Sequence, residues 1–426
     1  MKRKSLLFIL IGILVSSLFL AGCGNDEASS DGKVKLTFSI WGGETDKAVY
    51  EERLKLAKEK YPDIDVELIY IPSEYAQKVQ TMIAGKKAPD IMQLAEDVHA
   101  YSSKNQLAPL NEYIEESGLN LKENYGEVYE NYSRDGNVYA LPDRGGSLIV
   151  YYNKDLFDAA GLEYPNENWT WNDLLNAAKE LTVVENGEVK QWGFVGGEWW
   201  PQWMSFMYQN GGGVLDEDGN VIINSPESVE AMQFVVDTYY KYKVAPTRED
   251  LANLGDIGGD TLFAQGKLAM NYTGFWAMST SNSVAELNWD IAPMWKNKEP
   301  GTVPFGSGLG VSSQSKHKEE AYKIIEFLTS EEGQMPIVDN KQDAPANVKV
   351  LGSDEFLTKD WAAHEINVDT FAKSTEAMIK VPYIPEWNEM QKVFEDNFAD
   401  LWLNEDADVK AILDKTQEDL EALIGD

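Results

Sequence analysis

The side chains best suited to binding chemistry in this sequence are tryptophans grouped beside glycine and proline. The chain contains 13 Trp, and Trp192, Trp199, Trp200 and Trp203 fall within a span of twelve residues. A core helix would space its tryptophans, whereas a loop rich in glycine and proline exposes them. Flat indole faces beside a few hydrogen-bonding groups suit sugar rings, which present C–H faces and polar rims. Trp199, Trp200 and Trp276 are therefore candidate ligand residues, with packing inside the fold as the alternative.

Patterns for catalysis or metal binding are weak by comparison. The stretch 216–227 resembles a calcium loop in the spacing of its oxygen ligands, but its sixth position, which needs glycine for a sharp turn, is Val221. A turn between two short strands explains this stretch better. His99, His317 and His364 are scattered without the spacing of metal ligands. We therefore expect no metal, no cofactor and no catalytic residue.

The charge of the chain restricts its partners. Its 37 Lys and Arg face 71 Asp and Glu, which gives a formal net charge of −34. Such a charge opposes binding to nucleic acid and adsorption to anionic lipid. We therefore expect no nucleic-acid partner, and any attachment to a membrane needs an anchor that overcomes this repulsion.

The first residues have the layout of a secretory signal peptide. Three basic residues precede an apolar run, and small residues follow up to Cys23, the single cysteine of the chain. The motif Leu-Ala-Gly-Cys at 20–23 resembles the lipobox of bacterial lipoproteins. It predicts removal of residues 1–22 and lipid attachment at Cys23, with 23–33 as lipidated cysteine and flexible tether. A permanent transmembrane helix is the alternative.

Strand and helix patterns alternate along the following segment. The period-two run Val34–Ile40 predicts a strand, 46–60 carries a helical apolar stripe, and strands are again predicted at 66–71 and Ile91–Leu94. Alternating β and α units predict an α/β fold with a mainly parallel sheet. Ligands of such a sheet bind beyond the carboxyl ends of its strands.

Four candidate site residues fall at those strand ends. Trp41 and Glu44 follow the first predicted strand, while Gln93 and Asp97 lie at the end of the third. We expect Trp41 to offer a ring face. Glu44, Gln93 and Asp97 would hydrogen-bond ligand hydroxyls, and a buried polar group left unpaired is costly, which gives selectivity.

A crossing between two units is predicted near residues 141–161. Gly145 and Gly146 precede a short apolar run that predicts a buried strand. Glycines at a crossing permit a hinge, which we place near 144–148. The glycine-rich passage Pro304–Val311 is the candidate return crossing, which we place near 306–310. Arg144 lies in the first crossing and is a further candidate for hydrogen bonding to ligand.

The segment beyond the first crossing predicts a mostly helical second unit. Thr170 and Asp173 predict a capped helix over Trp171–Leu181. Further helical patterns end in two amphipathic helices at about 386–403 and 408–423. Strands are predicted at 268–272 and 289–294.

Several segments, in order behind a lipobox, carry a family resemblance: 38–42 (FSIWG), 88–91 (APDI), 141–142 (LP), 151–156 (YYNKDL), 263–270 (FAQGKLAM), 274–276 (GFW) and 319–333. They resemble the sugar-binding lipoproteins of bacterial ABC importers, the extracellular solute-binding family that includes maltose-binding protein. The resemblance covers most of residues 34–345.

The resemblance implies two α/β lobes with a hinge between them, the type II fold of periplasmic binding proteins, closing over a ligand. The first lobe would comprise 34–143 with about 307–345, and the second 144–306 with about 346–426. Matching positions, together with Tyr383 as a further candidate, imply these cleft residues: Trp41, Glu44, Asp97, Trp276, Tyr383 and Trp387. Leu94 stands where maltose-binding protein has a cleft tryptophan, which argues against a malto-oligosaccharide ligand.

The sequence thus predicts a non-enzymatic, monomeric carbohydrate-binding protein, anchored through Cys23 at the extracellular face of the cell membrane. It would capture a sugar or oligosaccharide and deliver it to the permease subunits of an ABC importer. A lipid-anchored secreted glycoside hydrolase is the alternative, because 71 acids leave a catalytic carboxylate pair open. An adhesion protein, with an open apolar surface and no enclosed cleft, is a third hypothesis.

Overall fold

The computed structural model describes residues 32–216, 218–381 and 383–425. The predicted signal peptide, the predicted lipidation site Cys23 and most of the predicted tether lie outside these ranges. Within them, no helix combines the length and the apolar composition that crossing a membrane requires.

The strands of the described residues are short, and most are buried. They are β1 Val34–Ile40, β2 Ile64–Tyr70, β3 Ile91–Leu94, β4 Ser133–Arg134, β5 Asn137–Val138, β6 Ala140–Ser147, β7 Ile149–Asn153, β8 Val183–Glu185, β9 Glu188–Phe194, β10 Leu268–Thr273, β11 Trp289–Ala292 and β12 Pro304–Val311.

The α-helices surround these strands. They are α1 Glu44–Lys60, α2 Tyr75–Ala84, α3 Val98–Ser103, α4 Asn111–Ser117, α5 Leu121–Tyr125, α6 Lys154–Ala160, α7 Trp171–Leu181, α8 Trp200–Gln209, α9 Pro226–Tyr239, α10 Arg248–Asn253, α11 Gly259–Ala264, α12 Ala277–Asn282, α13 Lys318–Leu328, α14 Glu331–Asp339, α15 Val348–Leu351, α16 Asp354–Leu357, α17 Asp369–Ser374, α18 Trp387–Leu403 and α19 Val409–Ile424. Short 3-10 helices cover Val128–Tyr132 and Thr375–Ala377.

The first sheet has the strand order β2-β1-β3-β12-β6. β1 pairs in parallel with β2 and β3, while β12 is antiparallel to both of its neighbours, β3 and β6. Four of the five strands therefore point the same way, as the alternating pattern predicted. β12 runs against them because the chain leaves this sheet at the end of β6 and returns at the same end.

The second sheet has the order β11-β7-β10-β9-β8 and mixes directions. β7 lies between two antiparallel partners, β10 and β11. Its side chains alternate between two hydrophobic clusters: Val150 and Tyr152 pack on one face, Ile149 and Tyr151 on the other. Burial on both faces explains why this strand reads as a continuous apolar run.

Some helices begin at a residue whose side chain caps them, and α7 is the one predicted from sequence. Thr170 caps α7, since the N–H of Asp173 donates to Thr170 Oγ1 at 3.4 Å and the N–H of Thr170 donates to Asp173 Oδ2 at 2.8 Å. This reciprocal capping box satisfies two backbone donors that the helix itself leaves unpaired. The predicted bounds of this helix are confirmed.

Three segments pass between the two sheets. β6 stays in the first sheet through Ser147, and β7 begins in the second at Ile149. The chain returns between β11 and β12, and a third passage lies beside the first, where the N–H of Gly145 donates to the carbonyl of Ala344 at 3.1 Å. We call the part built on the first sheet the first lobe and the part built on the second sheet the second lobe. The fold is two-lobed α/β, as predicted.

Glycine is required where β6 and β12 meet. A Cβ on Gly306 would lie 2.2 Å from the carbonyl oxygen of Arg144. No side chain fits at that distance, so the close approach of the two strands depends on the absent Cβ.

Candidate functional site

A cleft of about 880 Å³ opens between the lobes. We call it the front cleft, and six of its lining residues matter below: Trp41, Asp46, Glu96, Arg144, Trp276 and Phe305. The first three come from the first lobe, Arg144 and Phe305 from the paired strands β6 and β12, and Trp276 from the second lobe. The cleft is therefore walled by both lobes and floored by the strands that join them.

A second cavity of about 950 Å³ extends along the second lobe and shares Trp276 with the front cleft. We call it the second-lobe pocket. Trp199 and Trp200 line it, together with the ion pair Glu198–Arg248, in which Arg248 Nε donates to Glu198 Oε1 at 2.6 Å. The two spaces meet along aromatic side chains.

Phe305 stands at the centre of this aromatic group. Its ring centroid lies 5.0 Å from that of Trp199 and 5.6 Å from those of Trp200 and Trp276. Trp199 is 40% exposed and Trp276 is 37% exposed. Such large exposed apolar side chains, grouped at a cavity, mark a surface that binds something. Phe305 was not predicted as a site residue, although a single aromatic residue within a glycine-rich passage was a signal for it.

The backbone before Trp276 is shaped to hold its ring. A Cβ on Gly274 would lie 2.0 Å from the indole of Trp276, so the ring lies directly over the glycine. The indole also hydrogen-bonds the carboxylate of Asp260, which accepts from Asn271 Nδ2 at 2.7 Å. Burial raises the pKa of Asp260. These contacts fix the edge of the ring and leave its face towards the cleft side.

Trp203 and Trp387 are packed in the core instead. They are 2% and 1% exposed. The expectation that the whole tryptophan group lies in a loop is wrong for three of its four members: Trp192 is buried in β9, and Trp200 and Trp203 lie in α8. Trp387 meets Trp200 edge to face at 5.2 Å, and it supports the ring that faces the second-lobe pocket.

Tyr383 does not line the front cleft itself but lines the small space beneath Phe305, together with Glu96. Its ring stands 5.3 Å from Trp387 and 6.0 Å from His99 of the first lobe. It lines a separate groove of about 820 Å³ between the lobes, together with Arg134 and Lys380. The structure therefore does not bring Tyr383 together with the exposed tryptophans.

Trp41 and Gln93 join the end of β1 to β12. The N–H of Trp41 donates to Gln93 Oε1 at 3.1 Å, and Gln93 Nε2 lies 3.2 Å from Ser307 Oγ. Gln93 is fully buried, so both ends of its amide are used within the protein. Trp41 is half-buried, lines the front cleft and packs edge to face on Tyr75 at 5.1 Å.

Glu44 begins α1 and is exposed, outside the lining of the front cleft. Asp46, two residues further along α1, lines the front cleft instead. Its Oδ1 accepts from Arg144 Nη1 at 2.6 Å and from Gln342 Nε2 at 2.7 Å, and its Oδ2 accepts from the N–H of Gly43 at 2.7 Å. Asp46 thus fixes the crossing strand against the start of α1.

Arg144 is buried, at 6% exposure, and its charge is engaged by the protein. Besides Asp46 it approaches Asp343 Oδ2 at 3.5 Å, and it lies over the ring of Tyr50 at 5.6 Å. Burial raises the pKa of Asp343 to about 6, while Arg144 opposes this rise. Arg144 therefore neutralises two carboxyl groups where the crossing segments meet.

Asp97 and Glu96 point in different directions. Asp97 Oδ1 accepts from the N–H of Ala95 at 3.0 Å, and its carboxyl also bonds the hydroxyl of Tyr101. Burial, and then the charge of Glu96, raises the pKa of Asp97 to about 7. Glu96 lines the front cleft, and its Oε1 lies 3.4 Å from the side-chain amide of Gln391 of the second lobe; in the better-paired orientation of that amide, its oxygen accepts from Trp387 Nε1 at 2.8 Å. Burial raises the pKa of Glu96 as well.

The stretch that resembles a calcium loop begins as a turn around Asp216 and ends in the first residues of α9. Leu215 and Val221 pair as an isolated antiparallel bridge, and Asp216 Oδ1 accepts from the backbone N–H groups of Asp218 and Asn220 at 3.0 and 2.8 Å. Within 32–216, 218–381 and 383–425, no group of three or more His, Cys, Asp or Glu residues is placed to hold a metal ion.

The site is thus an apolar aromatic surface beside carboxyl groups and amides. Ring faces can stack on flat C–H surfaces, and the neighbouring acceptors can bond hydroxyl groups at their rims. Both cavities are within or near the size range of small-molecule sites, about 300–1,000 Å³. The arrangement suits an uncharged, hydroxyl-rich ligand larger than a single ring.

Comparison with known proteins gives concordant results. A model of the family described as bacterial extracellular solute-binding protein matches residues 41–335. An arabinooligosaccharide-binding protein of Bacillus subtilis (strain 168) is 26% identical over 381 residues, which cover 86% of this chain and 83% of the relative. A maltodextrin-binding protein of the same strain is 26% identical over 398 residues, covering 90% and 89%.

A solved structure is similar over nearly its whole length. An ABC substrate-binding protein of Listeria monocytogenes in complex with cycloalternan aligns with a TM-score of 0.83 and 30% identity. The alignment covers 92% of this chain and 99% of that one. These relatives are named as binding proteins, not as enzymes.

Proposed function

Because the chain belongs to the family of bacterial extracellular solute-binding proteins, we propose that it captures an oligosaccharide between its two lobes for an ABC importer. The sugar-binding class follows from the family and from the relatives named above. Delivery to permease subunits, as a monomer, is the finer part of the proposal. The three relatives are named for an arabino-oligosaccharide, a maltodextrin and cycloalternan, which supports a ligand of several sugar units.

The observation that carries the proposal is the aromatic surface around Phe305. Trp199, Trp200 and Trp276 surround this ring at 5.0–5.6 Å, where the front cleft and the second-lobe pocket meet. Aromatic rings of this kind bind sugars favourably by stacking on their C–H faces. The surface is long enough to contact more than one sugar ring, because it joins two cavities.

The candidate residues take different parts in this proposal. Trp41, Trp199, Trp200 and Trp276 would contact sugar faces from the two sides of the cleft. Other candidates act through the protein: Gln93 and Arg144 hold the cleft walls, Asp97 supports the turn after β3, and Trp387 and Tyr383 back the second wall. Glu44, being exposed at the start of α1, would reach the ligand only when the lobes close.

Closure of the lobes is the proposed motion. The boundaries inferred from the resemblance, 34–143 with about 307–345 and 144–306 with about 346–426, define the two moving bodies. The passages near 144–148, 292–304 and 344–346 would bend. Rigid closure about a few linking residues is a common response to ligand binding between lobes.

The proposed location is the extracellular face of the cell membrane. The lipobox at 20–23 supports cleavage before Cys23 and lipid attachment to its sulfur. Replacing Cys23 by Ala should then release the protein from the membrane fraction. Retention of the Cys23→Ala variant in that fraction would contradict the anchor but not the sugar-binding class.

Titration calorimetry with neutral arabino- and malto-oligosaccharides of two to six units tests the proposed function. We expect at least one series to bind, with affinity that rises up to a chain length of several units. Recovery of the sugar intact after prolonged incubation, checked by mass spectrometry, separates this protein from a glycoside hydrolase. Absence of binding to every oligosaccharide, or cleavage of the bound one, would contradict the proposal.

A further inference from the structure

We propose that Glu96 is the carboxyl group that determines ligand specificity in the front cleft. It would accept hydrogen bonds from hydroxyls of an uncharged sugar and exclude sugars that carry a carboxylate. The inference rests on the proposed function and concerns the same site. The sequence pattern indicates Asp97 at this turn, whereas in the structure Glu96 lines the front cleft.

The position of Glu96 follows from the end of β3. Buried side chains of Ile91–Leu94 fill the sheet, and the chain then turns before α3. At this turn Asp97 bonds Ala95 and Tyr101, so its acceptor capacity is used locally. Glu96 instead lines both the front cleft and a small space beneath Phe305. Its carboxyl therefore lies beside the central ring of the aromatic surface.

The cations of the front cleft are committed to other acids. The charge of Arg144 is balanced by Asp46 and Asp343, both reached by Nη1, although its Nε and Nη2 have no hydrogen-bond partner, and Lys341 pairs with Asp360. Among the described residues, the groups that hydrogen-bond or contact the Glu96 carboxyl are neutral: its own backbone N–H, and the side-chain amide of Gln391 at 3.4 Å. A carboxylate can accept about four hydrogen bonds. Glu96 therefore keeps acceptor capacity for ligand hydroxyls.

The groups around Glu96 make an additional negative charge unfavourable. Tyr132 and Tyr383 face it from the 3-10 helix and from the segment before α18, and Asp97 follows it in sequence. These neighbours supply no positive charge, and burial raises the pKa of Glu96. Hydroxyls relieve the buried carboxylate by donating to it, whereas a uronic acid would place a second carboxylate nearby.

The contact with Gln391 also links Glu96 to the second lobe. Glu96 belongs to the first lobe and Gln391 to α18 of the second, so this contact crosses the cleft. A ligand hydroxyl that donates to Glu96 would replace this long amide contact and improve the pairing of the carboxylate, while the Gln391 amide can bond the indole N–H of Trp387. Specificity and the contact between lobes are thus set at one side chain.

Calorimetry at neutral pH with arabinotriose, maltotriose and trigalacturonate tests the inference. The wild type should bind at least one neutral trisaccharide and reject trigalacturonate. Glu96→Gln keeps the size but exchanges an acceptor for a donor, and we expect about tenfold weaker binding of the neutral sugar. The same variant should also have a smaller ratio between its affinity for the neutral trisaccharide and its affinity for trigalacturonate. Glu115→Gln, an equal charge change on the exposed surface of α4, should change neither quantity.

A second variant distinguishes a change in ligand selectivity from a folding defect. Glu96→Asp retains the charge on a shorter side chain, so it should weaken neutral binding while still rejecting trigalacturonate. Tight binding of trigalacturonate by the wild type, or unchanged selectivity in Glu96→Gln, would overturn the inference and leave the sugar-binding proposal intact. Failure of the wild type to bind any of a wide set of oligosaccharides would contradict the proposed function itself.

Discussion

Trp276 combines an exposed face with a fixed edge. Its indole lies over Gly274 and bonds Asp260, while more than a third of the side chain is exposed beside Phe305. A ring held in this way loses little freedom when a ligand stacks on it, so the stacking energy is not spent on ordering the side chain. This residue is therefore the best single test of the aromatic surface.

Replacing Trp276 by Ala should weaken oligosaccharide binding by about 1–3 kcal/mol, or about five- to 150-fold, because an apolar stacking surface is lost. Trp276→Phe keeps a smaller ring, so its affinity should lie between those of the wild type and of Trp276→Ala. Calorimetry with a neutral oligosaccharide that the wild type binds measures both. Wild-type affinity in Trp276→Ala would place the ligand elsewhere.

Asp97 should make the stability of the protein depend on pH. Its pKa is raised from 3.8 to about 7 in the folded state, mainly by burial. A carboxyl with a raised pKa stabilises the fold below its unfolded pKa, and that contribution is lost as pH rises through its folded pKa. Asp97→Asn removes this loss and keeps an acceptor for the N–H of Ala95.

We therefore expect Asp97→Asn to match the wild type near pH 4 and to exceed its free energy of unfolding by roughly 2–4 kcal/mol at pH 8. Denaturant unfolding at the two pH values measures the difference. Asp406→Asn, at an exposed position, is the control and should show no such change. A difference that does not vary with pH would show that Asp97 is not buried as described.

The sequence predicted which types of residue lie near the cleft, but it did not predict which of their side chains point into it. Glu44 and Asp46 both start α1, but two residues on a helix point about 200° apart, so the cleft-facing acid depended on how α1 is oriented. Glu96 and Asp97 are likewise neighbours at one turn with opposite directions. Spacing predicts which types lie near the cleft, and packing decides which of them face it.

At the level of elements, the joining strands β6 and β12 are the least regular part of the sequence and the most constrained part of the fold. Their pairing runs from Pro304 opposite Ser147 to Gly310 opposite Ala140, with an irregularity between Ser307 and Gly308. Glycine allows this close approach, as at Gly306. The strands therefore join the lobes through backbone pairing rather than through side-chain packing.

Gly306→Ala should weaken this junction. Its Cβ would meet the carbonyl oxygen of Arg144 at 2.2 Å, and forcing backbone apart in a packed site costs about 1–3 kcal/mol or more. Denaturant unfolding measures the loss of stability. Gly258→Ala is a matched control, since a Cβ there meets nothing within 4 Å. Equal stability of the two variants would mean that β6 and β12 can separate without cost.

The sequence predicted the elements with regular periodicity and missed those made by tertiary pairing. β1, β3 and α7 follow from alternation, a short apolar run and a capping box. β12 is rich in glycine, which is depleted in strands, and it is a strand because β3 and β6 pair with it on both sides. The third passage near Ala344 has no periodic signal, and the boundary placed at about 345 came from the family resemblance rather than from the local pattern.

For the whole molecule, the two-lobed fold and the family were predicted from ordered short segments and are confirmed. The domain boundaries stay a prediction, because they concern which residues move together. The net charge of −34 adds repulsion to any acidic ligand at long range, in the same direction as Glu96 at short range.

Binding of oligosaccharide should make the molecule more compact. Closure over the front cleft brings the lobes together, so the radius of gyration in solution scattering should fall when a tightly bound neutral oligosaccharide is added. Trp276→Ala at the same sugar concentration should show a smaller change. Identical curves with and without bound sugar would remove lobe closure from the account.

A crystal structure with a bound neutral oligosaccharide tests the central claim most directly. We expect sugar rings between Trp41 of the first lobe and the group formed by Trp199, Trp276 and Phe305, with hydroxyls donating to Glu96. Contacts from both lobes to one ligand would establish capture between them. A sugar bound to one lobe alone, or outside the front cleft and the second-lobe pocket, would contradict the claim.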